Sequence, residues 1–196
     1  MKNYESRFEQ TGKLFELEAG GRPINTDSPE YQTALREYIK QLDQAALKGR
    51  TEHERVKKEG GFELVKKCQP REHDPTNPKG YFAMDIRIKL QDLLKLPAEE
   101  WDNIKYYIAR GEPRTTPVDK MGVDDFIEYE DKKNDKTYRI TIDFTVRPQK
   151  LEHEADIIVF NKDLGDPGDE GYHDNISRYG NLVLEKISED IDNLLK

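Results

Sequence analysis

His153 stands between Glu152 and Glu154, with Asp156 two residues further on. Neutral imidazole and carboxylates are suitable ligands for a divalent metal, and the end of a strand can present them at one edge. An extended backbone, however, turns alternate side chains to opposite sides. Glu152, Glu154 and Asp156 then face one way and His153 the other. All four converge only across a bulge. The simpler expectation is a charged lead-in to a buried strand, with Asp156 accepting hydrogen bonds.

A second arrangement is Glu130-Asp131-Lys132, which follows Phe126-Ile127 and has Asp119, Asp124 and Asp125 upstream. A carboxylate ahead of a strand bearing Glu-x-Lys resembles the ligand pattern of metal-dependent nucleases. There, carboxylates hold Mg²⁺ and the lysine steadies the attacking water. On this reading Glu130, Lys132, His153 and Asp156 are the candidate catalytic residues, with Mg²⁺ or Ca²⁺ as cofactor. The same stretch, continued by Lys133-Asn134-Asp135, is also an ordinary polar hairpin turn. The pairs His73-Asp74 and His173-Asp174 sit in polar loops, where a general base or metal site would need the fold to join them.

Oxygen-rich residues recur between 161 and 174: Asp163, Asp166, Asp169, Glu170 and Asp174, threaded with Gly165, Gly168 and Gly171. The spacing does not fit a twelve-residue calcium loop, so an acidic connection is expected. Residues 151–196 hold 12 Asp and Glu against 4 Lys and Arg, which accounts for the whole net charge of −8. Such a region suits a partner protein with a basic surface. A nucleic acid would want the opposite balance, so direct binding to one is not expected. A charged sheet face, built from Arg87, Arg139, Asp143 and Arg147, is a second candidate docking surface.

The chain carries no Gly-rich phosphate loop, no nucleophile elbow and no Cys pair. Charged residues make up 37% of its 196 residues and hydrophobic ones 34%, so the core is thin for its length. Cys68 is the only cysteine, which fits a reducing cytosol. No apolar run has signal-peptide or membrane-spanning length. The leading expectation is a non-catalytic cytoplasmic module of inhibitor, immunity or accessory type. A metal-dependent nuclease or phosphoesterase is the alternative.

The elements that must position these residues follow from periodicity. Residues 3–18 suggest a hairpin, with Leu14, Phe15 and Leu17 on its return strand. Asp27 and Glu30 form a capping box for a helix to Lys48, with Tyr31, Leu35, Tyr38 and Leu42 as its buried stripe. A short, weakly held helix from Thr51 should end at Gly60-Gly61. Phe62–Cys68 and Tyr81–Leu90 read as strands, the latter with Phe82, Met84, Ile86 and Ile88 on one face. Pro97 opens a helix with Trp101, Ile104 and Ile108 turned inward. Asp125–Asp131 and Thr137–Arg147 form a hairpin, Ala155–Phe160 a central strand, and Asp174–Leu195 a final helix. The expected fold is one α+β domain over residues 1–196. It has an antiparallel or mixed sheet of about five to seven strands, with three main helices on one face.

Overall fold

Two alternating apolar runs joined by a polar turn build the centre of the protein. In the computed structural model, which describes residues 12–146 and 155–194, these runs are β4 (Asp125–Asp131) and β5 (Lys136–Thr145). They pair antiparallel with Tyr129 opposite Tyr138. The Asp131 carboxylate accepts from the Lys133 and Asn134 amides, and Asp135 takes the left-handed conformation that closes the turn. Outside β4 lies β2 (Ile104–Ile108), antiparallel to it, and outside β5 lies β6 (Ile157–Phe160), parallel to it. A separate parallel pair joins β1 (Ile24–Asn25) to β3 (Gly111–Glu112).

Period-2 alternation sends neighbouring residues of the sheet into two different cores. Ile127, Ile140, Ile142 and Phe144 pack with α1 (residues 12–19), α4 (Tyr81–Leu93) and α6 (Tyr172–Leu194) through Phe15, Phe82, Ile86, Tyr179 and Val183. Phe126 and Tyr107 pack with α2 (Pro29–Lys48) and α3 (Arg50–Lys67) through Tyr31, Tyr38, Phe62 and Val65. The sheet therefore has helices on both faces. A short helix, α5 (Asn161–Leu164), follows β6 directly.

Several expectations are corrected. The main sheet has four strands rather than five to seven, and the three-helix face is replaced by a helical layer on each side. Residues 12–19 are helical rather than the return strand of a hairpin, and residues 3–11 lie outside the described residues. Ser28, not Asp27, caps α2, its hydroxyl accepting from the Tyr31 amide at 3.2 Å. Helix α3 runs through Gly60-Gly61 and takes in Phe62–Lys67. A Cβ at Gly60 would sit 3.0 Å from the Tyr38 ring, so the glycine lets the two helices close together. Tyr81–Leu93 is helical because Phe82, Ile86 and Leu90 form an i, i+4 stripe against the sheet, leaving Met84 and Ile88 exposed. After Pro97 there is only a 3-10 turn, Ala98–Asn103, before the chain enters β2, and Trp101 is exposed. β6 is an outer rather than a central strand of the described sheet.

Leu35 and Leu42 are only half-buried, whereas Phe126 is fully enclosed, edge-on to Phe62 at 4.9 Å and stacked on Tyr107 at 5.0 Å. Phe126→Ala should therefore cost about 3–5 kcal/mol in urea unfolding. Leu35→Ala should cost clearly less. Equal losses would mean that the α2–α3 layer, not the sheet face beneath it, carries this core.

Candidate functional site

At the end of the sheet where β2 and β5 finish and β4 begins, acidic side chains collect. Helix α1 supplies one of them. Phe15 packs edge-on against Phe144 at 5.5 Å and Ala19 is fully buried, which fixes the rotation of the helix and brings Glu16 to the sheet end. The approach is close. A Cβ at Gly20 would collide with the Asp125 carboxylate and the Arg110 guanidinium, and one at Gly80 would run into the Ala19 carbonyl.

The entry to β4 supplies the next two, Asp124 just ahead of the strand and Asp125 as its first residue. The Asp124 amide donates to the Ile142 carbonyl at 2.9 Å, and its own carbonyl accepts from the Ala109 and Arg110 amides. Its carboxylate, half-buried, accepts from the Phe144 amide at 2.7 Å. Asp125 is wholly enclosed. Arg110 Nε donates to its Oδ1 at 3.0 Å, while Arg110 NH2 and the Tyr106 hydroxyl donate to its Oδ2 at 3.2 and 2.8 Å. Arg110 NH2 also donates to the Gly21 carbonyl, and its NH1 lies 3.9 Å from Glu16 Oε2. Asp119 accepts from the Gly111 amide, and Asp143 is buried on β5.

Of the groups acting on Glu16, Asp119, Asp125 and Asp143 are carboxylates and Arg110 is a cation. Burial first, and these carboxylates second, push Glu16 up to about 7 against the pull of Arg110. Burial pushes Asp124 well above the carboxylate range, helped by Glu16 and Asp143. Burial also raises Asp119 and Asp125. His73 Nε2 donates to the Tyr106 carbonyl at 2.8 Å, and burial lowers the pKa of its ring. Clustered groups shifted this way are characteristic of sites that hold a cation or move a proton.

Among the described residues, those singled out from the sequence do not come together in one place. Glu130 pairs with Lys105 at 2.5 Å, and Lys132 belongs to the hairpin turn. Asp156 accepts from the Thr141 amide and hydroxyl, as expected for a strand lead-in, and His153 lies outside the described residues. The charged sheet face dissolves too. Arg87 is buried on α4, donating to the Ile104 and Trp101 carbonyls. Arg139 lies 4.2 Å over Phe62 with Glu128 and Glu59 as partners, Asp143 is buried, and Arg147 is outside the described residues. Asp74 accepts from Thr76, and His173 is exposed beside Tyr172. Asp163, Asp166, Asp169, Glu170 and Asp174 are all exposed. Burial raises the Cys68 thiol. A groove of about 280 Å³ between α2 and α3, lined by Tyr38, Arg55, Val56 and Glu59, has mixed charge.

Glu16, Arg110 and Tyr106 were not foreseen, since Glu16 fell within the expected hairpin. The available signals were the Asp124-Asp125 doublet opening a strand, and Asp143 flanked by apolar residues within the next strand. Among the described residues no three His, Cys, Asp or Glu side chains form a ready metal cage. Nor is any helix among them long and apolar enough to cross a membrane. No protein-family model, curated protein or solved structure matches this chain.

A carboxyl raised by folding binds its proton more tightly in the folded state, so its stabilisation is complete below the unfolded pKa and fades as pH rises. For Glu16 that window runs from about 4.5 up to about 7. Urea unfolding across this range should show stability falling with pH, and Glu16→Gln should remove up to about 3 kcal/mol of that fall. An unchanged slope in the variant would mean that Glu16 titrates as an ordinary surface carboxylate.

Proposed function

We propose that the protein is a Mg²⁺-dependent hydrolase of phosphate esters, with Glu16 and Asp124 as the carboxylates that hold the ion. The observation that carries this reading is the approach of Glu16 on α1 to Asp124, just ahead of β4, at one end of the sheet, where Arg110 is already committed to Asp125. Like charges that raise one another's pKa are relieved by a bound cation. Mg²⁺ keeps several waters and is held by one or two carboxylates plus substrate phosphate oxygens, so a three-ligand cage is not needed. Held by Glu16 and Asp124, such an ion would supply an acidified water and charge to neutralise phosphate oxygens. Glu16 is partly exposed and gives the site an opening to solvent.

Two measurements test this. Mg²⁺ or Mn²⁺ at a hundred times its Kd should stabilise the fold by about 2.7 kcal/mol. Asp124→Asn should abolish that gain together with any metal-dependent cleavage of a phosphodiester substrate. Melts and hydrolysis both indifferent to the metal would sink the reading.

A docking role is the second reading, favoured by the exposure of every carboxylate from Asp163 to Asp174. Its partner is a protein with a basic surface. Exposed charges are screened over about 8–10 Å at ordinary ionic strength, so the complex should weaken as salt rises. Binding that is constant across a salt titration would place the interface elsewhere.

A further inference from the structure

We infer that the connection from α3 to α4 is a plug on the outer edge of β2, and that withdrawing it opens that edge to the β2 strand of a second copy of this chain.

β2 is an outer strand of the main sheet, with β4 on its inner side. Ile104, Tyr106 and Ile108 turn their peptide groups the other way, and each of those groups is taken. The Ile104 amide donates to the Trp101 carbonyl, and the Ile104 carbonyl accepts from Arg87 Nε at 2.8 Å. The Tyr106 amide donates to the Pro75 carbonyl at 2.9 Å, and the Tyr106 carbonyl accepts from His73 Nε2 at 2.8 Å. Gln69 holds Ile108 at two points. Its Oε1 accepts from the Ile108 amide at 2.9 Å, and its Nε2 donates to the Ile108 carbonyl at 2.8 Å. One carboxamide thus stands in for the peptide group of a neighbouring strand. Beyond Ile108 the edge passes to β1, whose Ile24 amide donates to the Arg110 carbonyl.

The connection closes the edge without offering a new one. Pro70, Pro75 and Pro78 have no amide to donate, so the ladder stops there. A bare row of strand amides and carbonyls recruits strands from other chains, and the plug denies them this row. The strand beneath it is self-complementary. A twofold axis at Tyr106 sets Ile104 against Ile108 of the second copy, Tyr106 against its own counterpart, and Lys105 against Tyr107. The residues whose peptide groups point outward then meet their like, as an antiparallel ladder requires. The contact is isologous and closes as a dimer. Ile-Lys-Tyr-Tyr-Ile also favours pairing by composition, with strand-forming side chains, one charge and no Pro or Gly.

The experiment is sedimentation equilibrium with amide hydrogen exchange on the whole protein. It compares the unaltered chain, Gln69→Leu, and Gln69→Leu combined with His73→Phe, which remove the bonds of the plug and keep its bulk. Val183→Ala, a loss of buried volume on α6, is the control for general destabilisation. The unaltered chain and the control should sediment as monomers. The plug variants should move to twice the monomer mass, and their Tyr106 and Ile108 amides should exchange more slowly as concentration rises. Gln69→Leu alone decides the matter if the double variant does not fold. Folded plug variants that stay monomeric would overturn the inference. So would equal association in Val183→Ala, or association that leaves exchange at Tyr106 and Ile108 independent of concentration.

Discussion

Arg110 and Asp125 form an ion pair from which water is excluded, and four pieces of chain are tied to it. Arg110 follows β2, Asp125 begins β4, the Gly21 carbonyl follows α1, and the Phe144 ring of β5 lies 5.9 Å beneath the guanidinium. Removing one member of such a pair costs about 3–5 kcal/mol, because the other is left charged and unpaired. Replacing both by apolar groups is often neutral for stability. The pair is therefore explained less by the strength it adds than by the geometry it specifies. Tyr106, donating to the same carboxylate, restricts that geometry further.

The opposite side of the sheet treats buried charge differently. Glu128, 3% exposed, accepts from Arg139 at 2.9 and 2.7 Å and from Lys66 at 3.3 Å. Arg139 in turn reaches Glu59 and lies flat over Phe62. Here cations meet the carboxylate from two directions, and the arrangement is complete in itself. At the sheet end burial, and then neighbouring carboxylates, push Glu16 and Asp124 upward against the pull of Arg110.

The hairpin of β4 and β5 was legible in the sequence because strict alternation and an Asp-Asn turn agree with each other. Helices α2 and α6 were legible for the same reason, a single clear period. Tyr81–Leu93 was not, since Phe82, Met84, Ile86 and Ile88 satisfy a period of two while Phe82, Ile86 and Leu90 satisfy a helix. Packing against α6 decided between them, with Tyr179 edge-on to Phe82 and the Tyr172 hydroxyl donating to Asp85. Gly60-Gly61 looked like a stop because glycine weakens an isolated helix, but the Tyr38 ring needs the space. The site was half visible. Asp119, Asp124, Asp125 and Asp143 were all noticed, but in different roles, because joining them to Glu16 depends on α1 packing against a sheet far along the chain. Glu16 could not have been paired with Asp124 by any local rule.

Trp101 is the chain's single tryptophan, 46% exposed in the 3-10 turn before β2, with its indole NH donating to the Leu96 carbonyl. Its backbone carbonyl is the anchor for Arg87. The molecule's one indole fluorophore is therefore attached to a surface corner, and its emission reports solvent at that corner rather than the state of either core. Tyr106 sits inside the acidic end of the sheet, hydrogen-bonded to a carboxylate. Ultraviolet difference spectra of tyrosine, not tryptophan emission, are thus the optical window onto the interior of this protein.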